Sequence, residues 1–297
     1  TLPRQPAPTP HIKAYLCRTD EVKDLGFKTI EFKNHYKKEN KINDDDKKML
    51  FDFIKKIDND NMFVFGTSIF RNLSDENKNK WLREFKDKTG YDFYIVTPEE
   101  ENEYTVYGAI SKALYNENVA VMIGGGGSTE LSIVNDGKII ESVNYPFGAM
   151  DVSDNYPDLR EDYAKTNYDK MIKETLAGMD MPKNKADVLI LAGGDYIYFY
   201  EELDYPVSKN NLWSDELEPY MIDTVTMDKL DRDFFYNKSL DEICKRTNNE
   251  GWWRGVRGMR ICVKTLVDAL GVKYIIPTRI TMVYGIKEAI KNGKFAK

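Results

Sequence analysis

Four consecutive glycines, Gly124–Gly127, follow the apolar run Val119–Ile123 and lead into Ser128-Thr129-Glu130-Leu131. A helix or strand does not run through such a segment, because glycine loses more backbone freedom on ordering than any other residue. The chain must turn there, and its flanks say what it turns between. Val119–Ile123 has the length and β-branched content of a buried strand. After the turn, Glu130–Val134 and Lys138–Val143 flank Asn135-Asp136-Gly137, and an Asp-Gly pair between alternating strands is a strong hairpin signal. A glycine turn in this setting exposes successive backbone N–H groups, which form a natural nest for phosphate. The competing possibility is a plain tight turn. No GK[ST] follows the glycines, so this is not a P-loop. A strand rather than a helix comes next, so it is not a dinucleotide-binding fingerprint either.

Periodicity extends the assignment in both directions. Ile12–Cys17 and Phe27–Phe32 are expected strands. Asp44–Ile57 is an expected helix that opens on acids and keeps Met49, Phe53, Ile54 and Ile57 in helical period. Strands at Asn61–Phe65 and Asp92–Val96 and helices at Asp75–Lys88 and Glu100–Tyr115 complete the order ββαβαβα. From Val119 onward the three strands above precede a helix within Tyr163–Ala177 and a strand at Asp187–Ala192. A helix at Arg254–Leu270, a strand at Tyr274–Pro277 and a helix at Ile280–Lys291 close the chain. The aromatic, acidic stretch 196–250 yields no assignment. The two halves resemble each other in element order but not residue by residue. This predicts an α/β protein of two mixed-sheet domains facing a central cleft, at 12–116 and 117–297. Residues 1–11, with four prolines in the first ten positions, are expected to be a disordered leader.

Composition narrows the chemistry. The 297 residues carry 43 basic and 49 acidic side chains, a net charge of −6 that argues against general nucleic-acid binding. No apolar run is long enough to span a bilayer, and no signal-peptide pattern opens the chain; a cytoplasmic, reducing location is expected. The three cysteines, Cys17, Cys244 and Cys262, are far apart and form no CxxC pair, and the two histidines, His11 and His35, lie near the N-terminus. Histidine triads, zinc ribbons and disulfide frameworks are disfavoured. What remains is chemistry by backbone amides, carboxylates and arginines.

At Gly125-Gly126-Gly127-Ser128-Thr129-Glu130-Leu131 the sequence resembles the exopolyphosphatase / guanosine pentaphosphate phosphatase (Ppx/GppA) family of the actin-like superfamily. Gly66-Thr67-Ser68-Ile69-Phe70-Arg71, Glu99-Glu100-Glu101 and Tyr145-Pro146-Phe147-Gly148-Ala149 resemble further family segments in order and spacing, as does the run from Gly258 through Gly271 to Gly285. The resemblance implies two actin-like (ribonuclease H-like) domains and hydrolysis of a phosphoanhydride in polyphosphate or pppGpp. It implies that Gly125, Gly126, Gly127 and Ser128 hold the terminal phosphate and that Arg71 grips phosphoryl oxygens. Glu101 would orient or deprotonate the attacking water, with Glu100 and Glu103 as acidic neighbours that raise its pKa. Glu130 would help hold Mg²⁺. A solvated acidic helix start is the plain alternative for the glutamates. A homodimer is compatible with the sequence, and a membrane partner is not expected.

Two departures count against full activity. Ile123 stands where the family carries an Asp in the glycine motif, and isoleucine can neither ligate Mg²⁺ nor accept a proton. The family's first phosphate loop falls at the proline-rich start, or at Asp24-Leu25-Gly26, and is absent or degraded either way. A second expectation is therefore a catalytically impaired relative that binds polyphosphate, nucleotide or a protein partner without turnover. A kinase-like or ATPase member, with Gly193-Gly194 as a nucleotide-side loop, is a third. Arg254, Arg257, Arg260 and Lys264 share one helix face, which suits either a polyanion track or a solvated surface.

Overall fold

The computed structural model describes residues 11–17, 22–30, 32, 35–36, 41–57, 62–110, 118–193, 195–210 and 220–295. The expectations for the leader, for Asn61, for Gly194 and for the end of the Glu100–Tyr115 helix fall outside these residues. The chain divides into two compact units, one at Thr9–Glu101 and one beginning at Asn102 and running to Lys297.

In the smaller unit, β1 (His11–Cys17) and β2 (Val22–Thr29) form an antiparallel pair. Helix α1 (Asp44–Ile57) carries three acids in its first turn and lysines in its last, complementing the helix dipole. The short parallel pair β3 (Val64–Gly66) and β4 (Phe93–Ile95) brackets α2 (Ser68–Arg71) and α3 (Asp75–Thr89). Ser74 caps α3 by accepting from Asn77 N–H, and Gly90, at φ 80°, ends it in the left-handed region. Phe70, Trp81, Phe85 and Phe93 are buried in the core of this unit, with Trp81 and Phe93 each in ring contact with the other three. Each such burial stabilises by about 1.5–3 kcal/mol.

Helix α4 (Pro98–Ala109) spans the division between the units. The larger unit is built on seven strands in the order β7-β6-β5-β8-β11-β10-β9. These are β5 (Val119–Gly124), β6 (Thr129–Asn135), β7 (Lys138–Tyr145), β8 (Val188–Ala192), β9 (Ser208–Lys209), β10 (Tyr220–Asp223) and β11 (Tyr274–Pro277). The central strands β5, β8 and β11 run parallel and the outer ones antiparallel. The β6–β7 hairpin turns at Asp136 and Gly137, whose φ values of 49° and 67° are those the Asp-Gly signal calls for.

Alternation along β5 sends Ala120 and Met122 into one apolar layer and Val119, Val121 and Ile123 into the other. The first layer is covered by α5 (Ala149–Asn155), α6 (Tyr168–Ala177), α7 (Asp195–Glu202), α8 (Thr224–Tyr236), α9 (Leu240–Thr247) and α10 (Glu250–Leu270). The second takes in Val106 and Ala109 of α4 and lies beside α11 (Met282–Lys291) through Tyr284. The stretch 196–250, unassigned from sequence, folds among its described residues into α7, two short strands of which β9 forms the sheet edge, α8 and α9.

Candidate phosphate-binding site

Strands β5 and β6 pair from Val119 opposite Val134 to Gly124 opposite Thr129, so Gly125–Ser128 is the loop that joins them. Gly125 N–H donates to Ser128 O at 2.9 Å and closes the turn. The loop's outward carbonyls are taken from elsewhere: Ala149 N–H donates to Gly125 O at 3.0 Å, and Met150 N–H to Gly126 O at 2.8 Å. With those carbonyls held by the first turn of α5, the loop has one orientation. The N–H groups of Gly126, Gly127 and Ser128 have no backbone acceptor among the described residues. Successive unpaired N–H groups of this kind are what an anion nest requires.

Two glycines outside the loop permit this packing. A Cβ at Gly148 would lie 2.3 Å from Gly125 O and 2.9 Å from Ser128 N, and one at Gly258 of α10 would lie 2.2 Å from Ala149 O. Gly148 N–H donates to Asp151 Oδ2 at 2.8 Å, tying the start of α5 to its own first turn. Backbone therefore rests on backbone from α10 through α5 to the loop. Beneath it, Thr129 is buried and its hydroxyl donates to Phe147 O at 3.1 Å. Burial pushes the neighbouring Cys262 thiol up to about 12, which keeps it protonated and out of nucleophilic chemistry.

In the smaller unit, Arg71 at the end of α2 donates to Glu101 Oε2 at 2.7 Å and to Val96 O at 3.1 Å. Both side chains keep partial access to solvent, 23 % for Arg71 and 35 % for Glu101. Glu101 is presented by the first turn of α4, which starts with Pro98 and a reciprocal cap. Thr97 N–H donates to Glu100 Oε2 and Glu100 N–H to Thr97 Oγ1, each at 3.1 Å. Glu100 is thus a capping residue, and the group brought against Glu101 is a guanidinium rather than another acid. Glu103 lies 3.9 Å from Lys294 Nζ. The structure brings Arg71 to Glu101, and Gly125–Ser128 into one loop; the two sets belong to different units.

Glu130 was the expected metal ligand. It lies on β6 directly opposite Ile123 of β5 and Asn144 of β7, and Ile123 is paired in turn with Ala192 of β8. Directly paired residues emerge on the same face of a sheet, so the row at the strand ends reads Asn144, Glu130, Ile123, Ala192. It offers one carboxylate, one amide and two hydrocarbon side chains. Ile123 packs against the apolar layer containing Ile276 and Ile280. In the next row Ser132 and Ser142 contact each other at 2.9 Å and both accept from Asn102 Nδ2. Among the described residues no group of three His, Cys, Asp or Glu is placed to hold a metal ion. Of the oxygen ligands that Mg²⁺ takes in near-octahedral arrangement, this row supplies the Glu130 carboxylate and the Asn144 amide.

The arginine face of α10 is neither a polyanion track nor a solvated surface. Arg257 is fully buried and donates to the carbonyls of Glu161, Asp162, Phe234 and Lys238 at 2.7–3.2 Å. Burial lowers it to about 10. Arg260 is equally buried and grips Asp231 through Nε at 2.6 Å and a second nitrogen at 3.1 Å. Arg254 pairs with Asp241 and Glu250, and Lys264 with Asp268. These partners lie at 161–162, in 224–250 and in the last turn of α10, so the helical spacing found the shared face but not what covers it. Sequence reading also missed Asp151 and the cluster of buried Asn102 and Ser132 with exposed Ser142; an acid three residues after Gly148 was the available signal for the first.

Comparison with known proteins agrees with this architecture. The model of the Ppx/GppA phosphatase family matches residues 28–190. A Ppx/GppA family member from Aquifex aeolicus superposes with a TM-score of 0.72 at 15% identity, covering 97% of this chain and 95% of the other. An exopolyphosphatase from Cytophaga hutchinsonii gives 0.67 at 15% identity, with 95% and 94% covered. At such identities the likeness speaks for the fold. No curated protein shows significant sequence similarity to the chain.

Proposed function

Because the chain belongs to the Ppx/GppA phosphatase family, we propose that it removes the terminal phosphate of inorganic polyphosphate or of guanosine pentaphosphate by hydrolysis of a phosphoanhydride. The observation that carries this reading is the orientation of the glycine loop. Its carbonyls at Gly125 and Gly126 are taken by α5, which leaves the N–H groups of Gly126, Gly127 and Ser128 to receive phosphoryl oxygens. Gly125 N–H is already given to Ser128 O, so its part is to close the turn rather than to bind. Preorganised N–H donors aimed at developing negative charge lower the barrier to phosphoryl transfer without reorganising during the reaction.

In the proposed step a water oxygen attacks the terminal phosphorus and Glu101 accepts the water's proton. The bond from phosphorus to the bridging oxygen breaks, and the shortened chain leaves with that electron pair. Arg71 holds Glu101 Oε2 and so fixes the carboxylate in one orientation; the same planar guanidinium suits bidentate contact with a phosphoryl group. No helix of the described residues is long and apolar enough to cross a membrane, and both substrates considered are water-soluble.

A second reading, a family member that binds its ligand without turnover, is favoured by one observation: the strand-end row Asn144, Glu130, Ile123, Ala192 carries a single carboxylate. Phosphate release from polyphosphate and from pppGpp decides between the two. Hydrolysis is expected from the unaltered chain, with Glu101→Gln slowing it by about 10²–10⁴ while binding persists. Binding with no release from either substrate would replace the hydrolase reading with the second one.

A further inference from the structure

We propose that Met150 is an oxidation site that controls the phosphate nest: a peroxide converts its thioether to the sulfoxide, and the glycine loop then loses its hold on phosphate. The inference rests on the phosphate-binding reading above and adds a regulation of that same loop.

All eleven methionines fall within the described residues, and Met150 alone is exposed, at 44 %, the others being half-buried or buried. Susceptibility of a thioether to oxidation follows its exposure, so a peroxide in solution meets this sulfur first. The place of the side chain gives that reaction a consequence. Met150 N–H donates to Gly126 O at 2.8 Å, one of the two bonds that orient the loop. From there the side chain runs over the loop towards α10. Its Cγ lies 3.2 Å from where a Cβ on Gly126 would stand, and its Sδ 3.9 Å from where one on Gly255 would stand. Both neighbours are glycines, so the thioether lies against backbone at each end, and a change in its shape or polarity reaches the loop directly. Met259, half-buried, has its Sδ beside Gly124 on the other side of the loop.

In the reaction the sulfur lone pair attacks one peroxide oxygen and the O–O bond breaks. The departing hydroxide takes up the remaining proton as water. The thioether is oxidised by two electrons and the peroxide is reduced by two. The sulfoxide replaces an apolar group with a polar one whose oxygen carries the negative end of the S–O dipole. Beside Gly126 that oxygen opposes phosphoryl oxygens seated on the N–H groups of Gly126, Gly127 and Ser128, and it competes with them as an acceptor.

The test compares the protein before and after treatment with hydrogen peroxide, by calorimetric binding of inorganic tripolyphosphate and by peptide mass spectrometry. Met150 is expected to gain one oxygen ahead of the other methionines, and tripolyphosphate affinity to fall about tenfold. Methionine sulfoxide reductase is expected to restore it. Treated Met150→Leu is expected to stay within about twofold of its own untreated value, while Met259→Leu still loses affinity on treatment. Exposed Cys17 is common to all three proteins, so its oxidation does not account for a difference between them. The proposal is overturned if affinity is unchanged with Met150 fully oxidised, or if Met150 stays reduced while other methionines react. It is equally overturned if Met150→Leu loses as much affinity on treatment as the unaltered chain. Absence of tripolyphosphate binding by the untreated protein would instead remove the phosphate-site reading on which the inference stands.

Discussion

Gly148 is the residue on which the loop's geometry turns, and its part is passive. Its missing side chain lets the backbone of α5 lie against the backbone of the glycine loop, where a methyl group would sit 2.3 Å from Gly125 O. That oxygen is backbone on both sides and cannot rotate away as a side chain would. Gly148→Ala is therefore expected to push the loop off the α5 amides. Tripolyphosphate affinity should fall about tenfold or more, with a stability loss of about 1–3 kcal/mol typical of overpacking. Calorimetry and thermal unfolding measure the two effects, and unchanged affinity would mean that the loop does not depend on α5. At this scale the sequence was legible where a residue type has few uses. Four glycines before Ser-Thr-Glu marked the loop, and Gly148 lay in a segment already singled out. It was illegible where a residue has many uses. Arg257 and Arg260 look like any cationic stripe until Asp231 and four carbonyls are brought over them by a distant part of the chain.

Among the elements, the junction between the 3₁₀ turn Pro157–Arg160, α9 and α10 shows how an acid can hold helices together. Asp162 Oδ1 accepts from the hydroxyl of Ser239 at 2.7 Å and from Asp241 N–H at 3.0 Å, while Arg257 of α10 donates to the Asp162 carbonyl. The Asp241 N–H first, and then the Ser239 hydroxyl, hold this carboxyl below its ordinary 3.8. A carboxyl lowered by folding contributes stability that is present above its unfolded pKa and lost as pH falls through the folded value. Asp162→Asn is thus expected to be less stable near neutral pH by about 1 kcal/mol, as for a weakened helix cap. The deficit should shrink as pH falls below about 3.8, where the unaltered side chain also loses its charge. Urea unfolding across that range is the check, and a deficit independent of pH would show that charge plays no part. The β6–β7 hairpin and α1 were readable because their signals are local: an Asp-Gly turn, an acidic start, a helical period. Helices α7 to α9 were not, because Phe199, Phe234 and Phe235 bury on contact with Trp253 and the buried arginines, and that pattern exists only once the elements have met.

At the scale of the molecule, two units with separate apolar cores divide the candidate chemistry. The larger brings the glycine loop, and the smaller brings Arg71 and Glu101. Family and fold could be read from segments spread along the chain. The metal expectation could not be judged from them, because whether Glu130 has partner carboxylates depends on strand register, and the register pairs it with Ile123 and Asn144. The central claim is that the amides of the glycine loop seat a terminal phosphate. Its most direct test is amide nuclear magnetic resonance during titration with inorganic tripolyphosphate. The N–H protons of Gly126, Gly127 and Ser128 are predicted to move furthest and downfield, with Gly125, already bonded to Ser128 O, moving less. Large shifts elsewhere with these three amides unmoved would contradict it.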